Sequence, residues 1–251
     1  MATTLSRRDR VRAATVTEIK DTARRILVAE GPDGLSLRAI AREMGMTAPA
    51  LYRYFPSRED LVGSLIADLY DELTATLAAA ANIADGAPGD AAGGALDTAD
   101  PRAQITAASR AFRSWALAHP REFGLLFGSP IPGIDAHSDD SPAGLASERF
   151  GQLFGTLVAR IYLADPFPVP AEDEMDPRLR RQLRAWCSAL PVELPIGAGQ
   201  VFLSCWIRLY GMVAMEVFGH LRFALPDAAP MFEAELRDLA VKLGFGPAQA
   251  T

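Results

Sequence analysis

The fold is decided by residues 34–61, which read GLSLRAIAREMGMTAPALYRYFPSREDL. Within this stretch, apolar side chains recur at helical spacing between Leu37 and Met44. Ser36 stands before them as a natural N-cap, and Gly45 follows them as a natural helix-ending residue. The pattern predicts a short helix that ends at a tight turn.

A second short helix is expected over residues 47–54, directly after that turn. Pro49 falls in its first turn, where the missing N–H costs no hydrogen bond. Two short helices joined in this way have the dimensions of a helix-turn-helix, with Leu51 and Phe55 facing inward as a small core. Periodicity alone equally allows Leu51–Phe55 to be an aromatic seam inside a plain helical bundle.

The composition of the second helix suits contact with duplex DNA. Small residues at its start let the backbone approach base edges and offer apolar contact to a thymine methyl group. The larger side chains behind them can reach phosphates, which fix position rather than sequence. The candidate DNA-binding residues are Arg38, Thr47, Ala48, Pro49, Ala50, Tyr52, Arg53, Tyr54 and Arg58.

Two runs in this stretch, LRAIAREMGMT at 37–47 and LYRYFPSREDL at 51–61, resemble the DNA-binding segment of the TetR family of bacterial transcriptional regulators. The resemblance implies DNA contacts at the positions above and adds Ser36, whereas position 53 varies in such proteins. It also implies a homodimer on a palindromic double-stranded operator, bound with an affinity that falls steeply as salt rises. Relief of repression by a small ligand is the expected response.

The remaining sequence is also helical in pattern, so the predicted fold class is all-α. We expect a helix-turn-helix domain over 1–62 and a larger helical domain for ligand binding and dimerisation over 63–251. Long loops are expected at 82–100 and 128–142. The further helices are expected at about 57–77, 101–119, 120–127, 143–163, 177–189, 197–221 and 229–243.

Charge is distributed unevenly along the 251 residues, whose net charge is −6. Residues 1–58 carry 11 Lys and Arg against 6 Asp and Glu, whereas residues 59–251 carry 14 against 25. A basic head on an acidic body indicates that only the head meets a polyanion. A solvated arginine-rich helix is the alternative explanation of the same charges.

The C-terminal half also resembles a subgroup of the TetR family whose C-terminal domain is named for a Trp, a His and a Gly. The matching runs are Trp206–Gly211 and Val217–Leu221, with Tyr210 in place of the usual histidine. Aromatic residues are candidates for a pocket that takes a hydrophobic or cationic ligand, although ordinary core packing explains any single one of them better. The pocket candidates are Phe112, Trp115, Phe123, Phe127, Phe150, Phe154, Trp186, Trp206 and Tyr210.

The same resemblance places the dimer interface on the last two helices. The first of these is apolar on more sides than one packing face needs, and a fully buried core helix is the alternative. The candidate interface residues are Phe202, Cys205, Leu209, Met212, Val213, Glu216, Val217, Phe232, Leu236 and Leu239.

Several other classes of protein are disfavoured. The sequence has no phosphate-binding loop, no His-Glu-x-x-His and no nucleophile elbow, so we expect no enzyme, no cofactor and no metal site. Two cysteines exclude a disulfide scaffold. The apolar stretch Val201–Leu221 contains Arg208, Glu216 and His220, which predicts a buried helix, no membrane span and a cytoplasmic protein. The remaining rival is a helical ligand-binding or interaction protein without DNA binding.

Overall fold

The computed structural model describes residues 6–31, 34–83, 100–131, 140–190, 192 and 194–246. Throughout these ranges the regular structure is helical and no strand occurs, which confirms the all-α class. The helices are α1 (Arg7–Glu30), α2 (Leu37–Glu43), α3 (Ala48–Tyr52), α4 (Arg58–Ala80), α5 (Pro101–Ala118), α6 (Pro120–Phe127), α7 (Pro142–Ala164), α8 (Pro177–Ser188), α9 (Ile196–Val217) and α10 (Ala229–Lys242).

Side-chain caps fix the start of the helices around the decisive stretch. Ser36 Oγ accepts a hydrogen bond from the Ala39 N–H at 3.1 Å. Ser57 Oγ accepts from the Asp60 N–H at 3.0 Å and donates to the Asp60 carboxylate at 2.6 Å. The cap at Ser36 was predicted from the sequence and is confirmed. Each of the two caps satisfies an N–H that has no partner within the helix.

The structure shortens one predicted helix and covers little of two predicted loops. The predicted helix 197–221 ends earlier, at Val217. Gly219 adopts a φ of +75°, and the His220 N–H donates to the Met215 carbonyl at 2.8 Å, so the chain turns before 221. The loops predicted at 82–100 and 128–142 lie largely outside the described residues.

Packing divides the chain into two compact units. Unit 1 comprises Met1–Tyr70 with Arg121–Ser147, and unit 2 comprises Asp71–Pro120 with Glu148–Thr251. Nearly all of α6 therefore belongs to the same unit as the helix-turn-helix segment, a grouping that the sequence did not indicate. The assignment of separate functions to 1–62 and 63–251 stays a prediction.

The core of unit 1 joins α1 to the two short helices and to the start of α4. Ile19, Leu27, Ile40, Leu51 and Leu61 are all essentially inaccessible to solvent. Their burial removes apolar surface from water at about 25 cal/mol per Å², which is the main force that fixes α2 and α3 on α1.

A second link within unit 1 is polar. Arg24 Nε of α1 donates to the carboxylate of Glu122 on α6 at 3.1 Å, and the Glu122 side chain is buried. A buried carboxylate needs a charged partner, so this pair fixes the position of α6 against α1.

The core of unit 2 is aromatic. Phe112 on α5 is fully buried, and its ring centroid lies 6.0 Å from that of Phe150 on α7 and 5.5 Å from that of Trp206 on α9. Beside this cluster Arg113 donates to both carboxylate oxygens of Glu216, at 2.7 and 2.6 Å. The hydrogen bonds to Glu216 raise the pKa of Arg113, which therefore stays charged.

Among the described residues, one helix, α9, is long and apolar enough to cross a membrane. Its residues Phe202, Leu209 and Val213 are buried inside unit 2. The core helix of a water-soluble protein has the same composition, so one helix of this kind does not indicate a membrane protein.

Candidate nucleic-acid interface and effector cavity

The turn between α2 and α3 has the tight geometry of a helix-turn-helix. The Gly45 N–H donates to the Arg42 carbonyl at 3.3 Å, and the Met46 N–H donates to the Ala41 carbonyl at 2.8 Å. Gly45 itself adopts a φ of +65°, a conformation that strains any residue with a Cβ. The glycine thus fixes the angle at which α3 leaves α2.

The orientation of α3 decides between the two interpretations of the sequence. Leu51 and Phe55 are buried, as the helix-turn-helix interpretation predicts, whereas Tyr52 between them is 46% exposed. A seam inside a bundle would bury Tyr52 as well. The segment is therefore a helix-turn-helix with an outward face.

The residues predicted to contact DNA are all at least partly accessible to solvent. None of them is buried, although their contact with DNA itself stays a prediction. The exposed members are Ser36, Arg38, Thr47, Pro49, Tyr52 and Arg53, and the half-buried members are Ala48, Ala50, Tyr54 and Arg58.

Two of the arginines near this face have positions that the sequence did not indicate. Arg58 Nε donates to the Leu35 carbonyl at 2.8 Å, so this side chain ties the start of α4 to the segment before α2. Arg12, which the sequence analysis did not select, donates to the Arg53 carbonyl at 3.5 Å and lies 5.1 Å from the ring centroid of Tyr54. Only the helical register of α1 could have pointed to Arg12.

Unit 2 contains a largely apolar cavity bounded by α5, α7, α9 and α10. It encloses about 40 Å³ of free space and is partly open to solvent. A small organic ligand therefore fits only if the lining side chains move apart. The lining residues are Ile105, Thr106, Ser109, Phe154, Val158, Phe202, Cys205, Trp206, Leu209, Leu236, Leu239, Ala240, Leu243 and Phe245.

Two of the nine predicted pocket residues, Phe154 and Trp206, line this cavity. Three others support Trp206 from behind: the rings of Phe112, Phe150 and Tyr210 lie 5.5, 5.6 and 6.1 Å from its ring.

The other four predicted pocket residues do not line this cavity, and their contact with a ligand stays a prediction. Trp186 stacks on Phe202 at 5.3 Å, and Trp115 donates to the Glu72 carboxylate at 3.1 Å. Phe123 and Phe127 belong to unit 1, where their rings contact each other at 5.0 Å. The sequence missed most lining residues because medium-sized apolar side chains look alike whether they face a cavity or a core.

The cavity offers hydrogen-bond acceptors and no charge. The Ser109 hydroxyl donates to the Ile105 carbonyl and the Thr106 hydroxyl donates to the Arg102 carbonyl, both at 2.8 Å. Each hydroxyl oxygen keeps lone pairs that accept from a ligand. Among the lining residues there is no Asp, Glu, Lys or Arg.

Burial raises the pKa of the two thiols, those of Cys187 and Cys205. At Cys205 this effect outweighs the nearby cations of Lys242 and Arg208, which lower the pKa. Since the thiolate is the reactive form, we expect iodoacetamide at neutral pH to alkylate either cysteine at least about tenfold more slowly in the native than in the urea-unfolded protein. Peptide mass spectrometry measures both rates, and Cys187→Ser isolates Cys205. Equal rates in the two states would contradict the burial of the thiols.

Most of the predicted dimer residues face inward in the protomer. Seven of the ten are buried there, and several of them line the cavity: Phe202, Cys205, Leu209, Val213, Phe232, Leu236 and Leu239. Glu216 pairs with Arg113 of its own chain, and Met212 and Val217 are half-buried. Because α9 is apolar on most sides, its periodicity did not reveal which side packs inward. The large apolar residues exposed on α9 and α10 are Ile207, Met215, Met231 and Val241.

Comparison with known proteins supports this geometry. Residues 19–65 match the model of bacterial regulatory proteins of the tetR family, and residues 105–239 match the tetracyclin repressor-like C-terminal domain. The chain is 32% identical over 240 residues to the HTH-type transcriptional regulators Rv1816 of Mycobacterium tuberculosis and Mb1846 of Mycobacterium bovis, covering 90% of this chain and 91% of each relative.

Solved structures agree. The regulatory protein SCO4313 is 32% identical, with a TM-score of 0.70 over 93% of this chain and 98% of that chain. RolR in complex with resorcinol shares the fold at 13% identity, with a TM-score of 0.51 over 97% of this chain and 100% of that chain.

An outward helix-turn-helix joined to a helical unit with a cavity defines a DNA-binding transcriptional regulator. The chain belongs to the TetR family. Members of this family bind DNA, form dimers and bind small ligands, and the family is not one of enzymes. The finer resemblance to the subgroup named for Trp, His and Gly stays a prediction.

Proposed function

We propose that the protein is a dimeric repressor that binds a palindromic operator and is released by a small, neutral, largely apolar ligand. The observation that carries the proposal is the uncharged cavity of unit 2, combined with the outward face of α3 in unit 1. In this proposal the ligand binds in the cavity, and α3 contacts the DNA.

The ligand class follows from the lining of the cavity. A cationic ligand was an open alternative in the sequence, but the lining provides no carboxylate to pair with it and leaves only aromatic faces to contact a cation. A hydroxyl-bearing apolar molecule fits better, because the Ser109 and Thr106 oxygens accept hydrogen bonds while the remaining walls are apolar.

The dimer face is the outward side of α9 and α10. Ile207 is 67% exposed and Val241 is 59% exposed, so these helices offer apolar surface that a partner can cover. A two-fold axis along this face repeats the same patch on both protomers, which is how a closed dimer forms.

The coupling between ligand and DNA runs through α4, which contributes residues to both units. Two walls of the cavity are tied to it: Trp115 of α5 donates to Glu72, and Arg149 of α7 donates to Asp71 at 2.6 Å. In the proposed dimer, a ligand that displaces α5 or α7 shifts α4 and so changes the distance between the two α3 helices. Couplings of this kind amount to about 1–3 kcal/mol.

The experiment titrates neutral phenols such as resorcinol, neutral alkanols and a quaternary ammonium compound against the intrinsic tryptophan fluorescence. A neutral compound is expected to quench Trp206 and to weaken binding to the DNA that flanks the protein's own gene by about 5–150-fold. Trp206→Phe removes this quenching while Trp115 and Trp186 still report on the fold. Binding of the cation alone, or ligand binding without any change in DNA affinity, would overturn the proposed ligand class and response.

A further inference from the structure

A cleft lined with arginine lies beside α3 in unit 1. Its walls are Arg7, Arg8, Val11 and Arg12 of α1 together with Arg53 and Tyr54, which directly follow α3. The cleft has about 640 Å³ of free space and is open to solvent.

The arginines of this cleft form no ion pair with any residue that the structure describes. Lys20, Arg24 and Arg25, farther along α1, pair with Asp68, Glu122 and Glu43. In contrast, Arg7, Arg8 and Arg53 make no ion pair within the ranges that the structure describes. Repulsion among such cations is relieved when a polyanion binds.

The helical register of α1 separates these cations from the nearby carboxylate. Residues 7, 8, 11 and 12 share one face of a helix, whereas position 9 lies about 130° away from the centre of that face. Asp9 is also engaged elsewhere, because its carboxylate accepts from the Ser6 hydroxyl at 2.6 Å. The cleft therefore presents a positive face.

Arg12 connects the cleft to the DNA-binding face. It donates to the Arg53 carbonyl and stacks over the Tyr54 ring, so it holds the start of α1 against the end of α3. Arg8 lies about one helical turn before Arg12 on the same wall of the cleft, and Arg7 is next to it.

We propose that the start of α1 is a second DNA contact, in which Arg7 and Arg8 bind backbone phosphates beside the groove that α3 reads and Arg12 positions them. The proposal rests on the proposed operator binding and extends it to a helix outside the helix-turn-helix. Its partner is the duplex backbone, so it contributes affinity and salt dependence without sequence preference.

The test measures the dissociation constant against salt concentration for a random-sequence duplex and for the DNA that flanks the protein's own gene. Arg7→Ala with Arg8→Ala is compared with the wild type. The matched control is Arg178→Ala with Arg181→Ala on α8, which removes the same charge from exposed positions of unit 2.

If each arginine holds one phosphate, the α1 variant loses two phosphate contacts for each bound protomer. The plot of the logarithm of the association constant against the logarithm of the salt concentration then becomes less steep by about 1.8 for each bound protomer. The affinity lost is expected to be the same for both duplexes. The α8 control is expected to keep the wild-type slope.

A slope of the α1 variant equal to that of the α8 control overturns the second contact. Equal binding of the wild type to both duplexes instead overturns the operator at that locus. In that case the slopes on the random-sequence duplex still decide for or against the role of Arg7 and Arg8.

Discussion

Pro49→Glu is expected to reduce the affinity for operator DNA by about 1,000-fold while leaving the fold intact. Pro49 is exposed in the first turn of α3, at the end that faces the duplex in the proposed complex. A carboxylate there meets phosphates at both half-sites, and unfavourable like-charge contacts cost several kcal/mol in total. The same carboxylate is favourable at a helix N-terminus, so the variant should fold normally.

The measurement is fluorescence anisotropy of a labelled duplex that carries the sequence flanking the protein's own gene. Pro49→Gln is the matched control, since the Gln side chain has nearly the same shape as Glu and no charge. This variant should bind DNA much more tightly than Pro49→Glu. Thermal melting of all three proteins checks the fold. Wild-type affinity of a folded Pro49→Glu protein would show that α3 does not enter the groove.

Glu216→Ala is expected to destabilise unit 2 by about 3 kcal/mol, because removing one partner leaves a guanidinium that is mostly buried. Side-chain exposure is only 18% for Arg113 and 13% for Glu216, and two hydrogen bonds join them. Arg113 also lies 5.0 Å from the ring centroid of Phe232, so its displacement would disturb α10. Urea unfolding followed by tryptophan fluorescence measures the loss.

The matched control is Glu233→Ala. Glu233 accepts two hydrogen bonds from Arg110, which lower the pKa of its carboxyl, but both side chains are substantially exposed. Exposed pairs of this kind contribute only about 0–1 kcal/mol. If Glu216 instead belonged to the dimer interface, Glu216→Ala would shift the monomer–dimer equilibrium and leave the unfolding of the monomer unchanged.

The sequence was sufficient where local chemistry determines local structure. Ser36 and Ser57 have side chains that cap helices, Gly45 tolerates the backbone conformation of the turn, and the spacing of Leu51 and Phe55 identifies the inward side of α3. Each of these features depends on neighbours within a few residues. For that reason local pattern was enough to predict the all-α class, whereas the family resemblance was needed to favour a helix-turn-helix over a plain bundle.

The sequence was insufficient where the outcome depends on which helices meet. In α9, Leu209 and Ile207 are both apolar, but only the packing of α5 and α10 buries the first and leaves the second exposed. Likewise no local pattern shows that Glu122 pairs with Arg24 across 98 residues, or that Arg12 reaches Tyr54. Aromatic content alone could not separate Trp206 at the cavity from Phe123 in the other unit.

Hydroxyl-radical footprinting of the DNA that flanks the protein's own gene tests the central claim most directly, namely that two outward α3 helices of a dimer enter the major groove together. We predict two symmetric protected segments whose centres are about 34–36 Å apart, one helical turn, or a whole multiple of that distance. A single protected segment, two segments on opposite sides of the duplex, or no protection at low salt would contradict the claim.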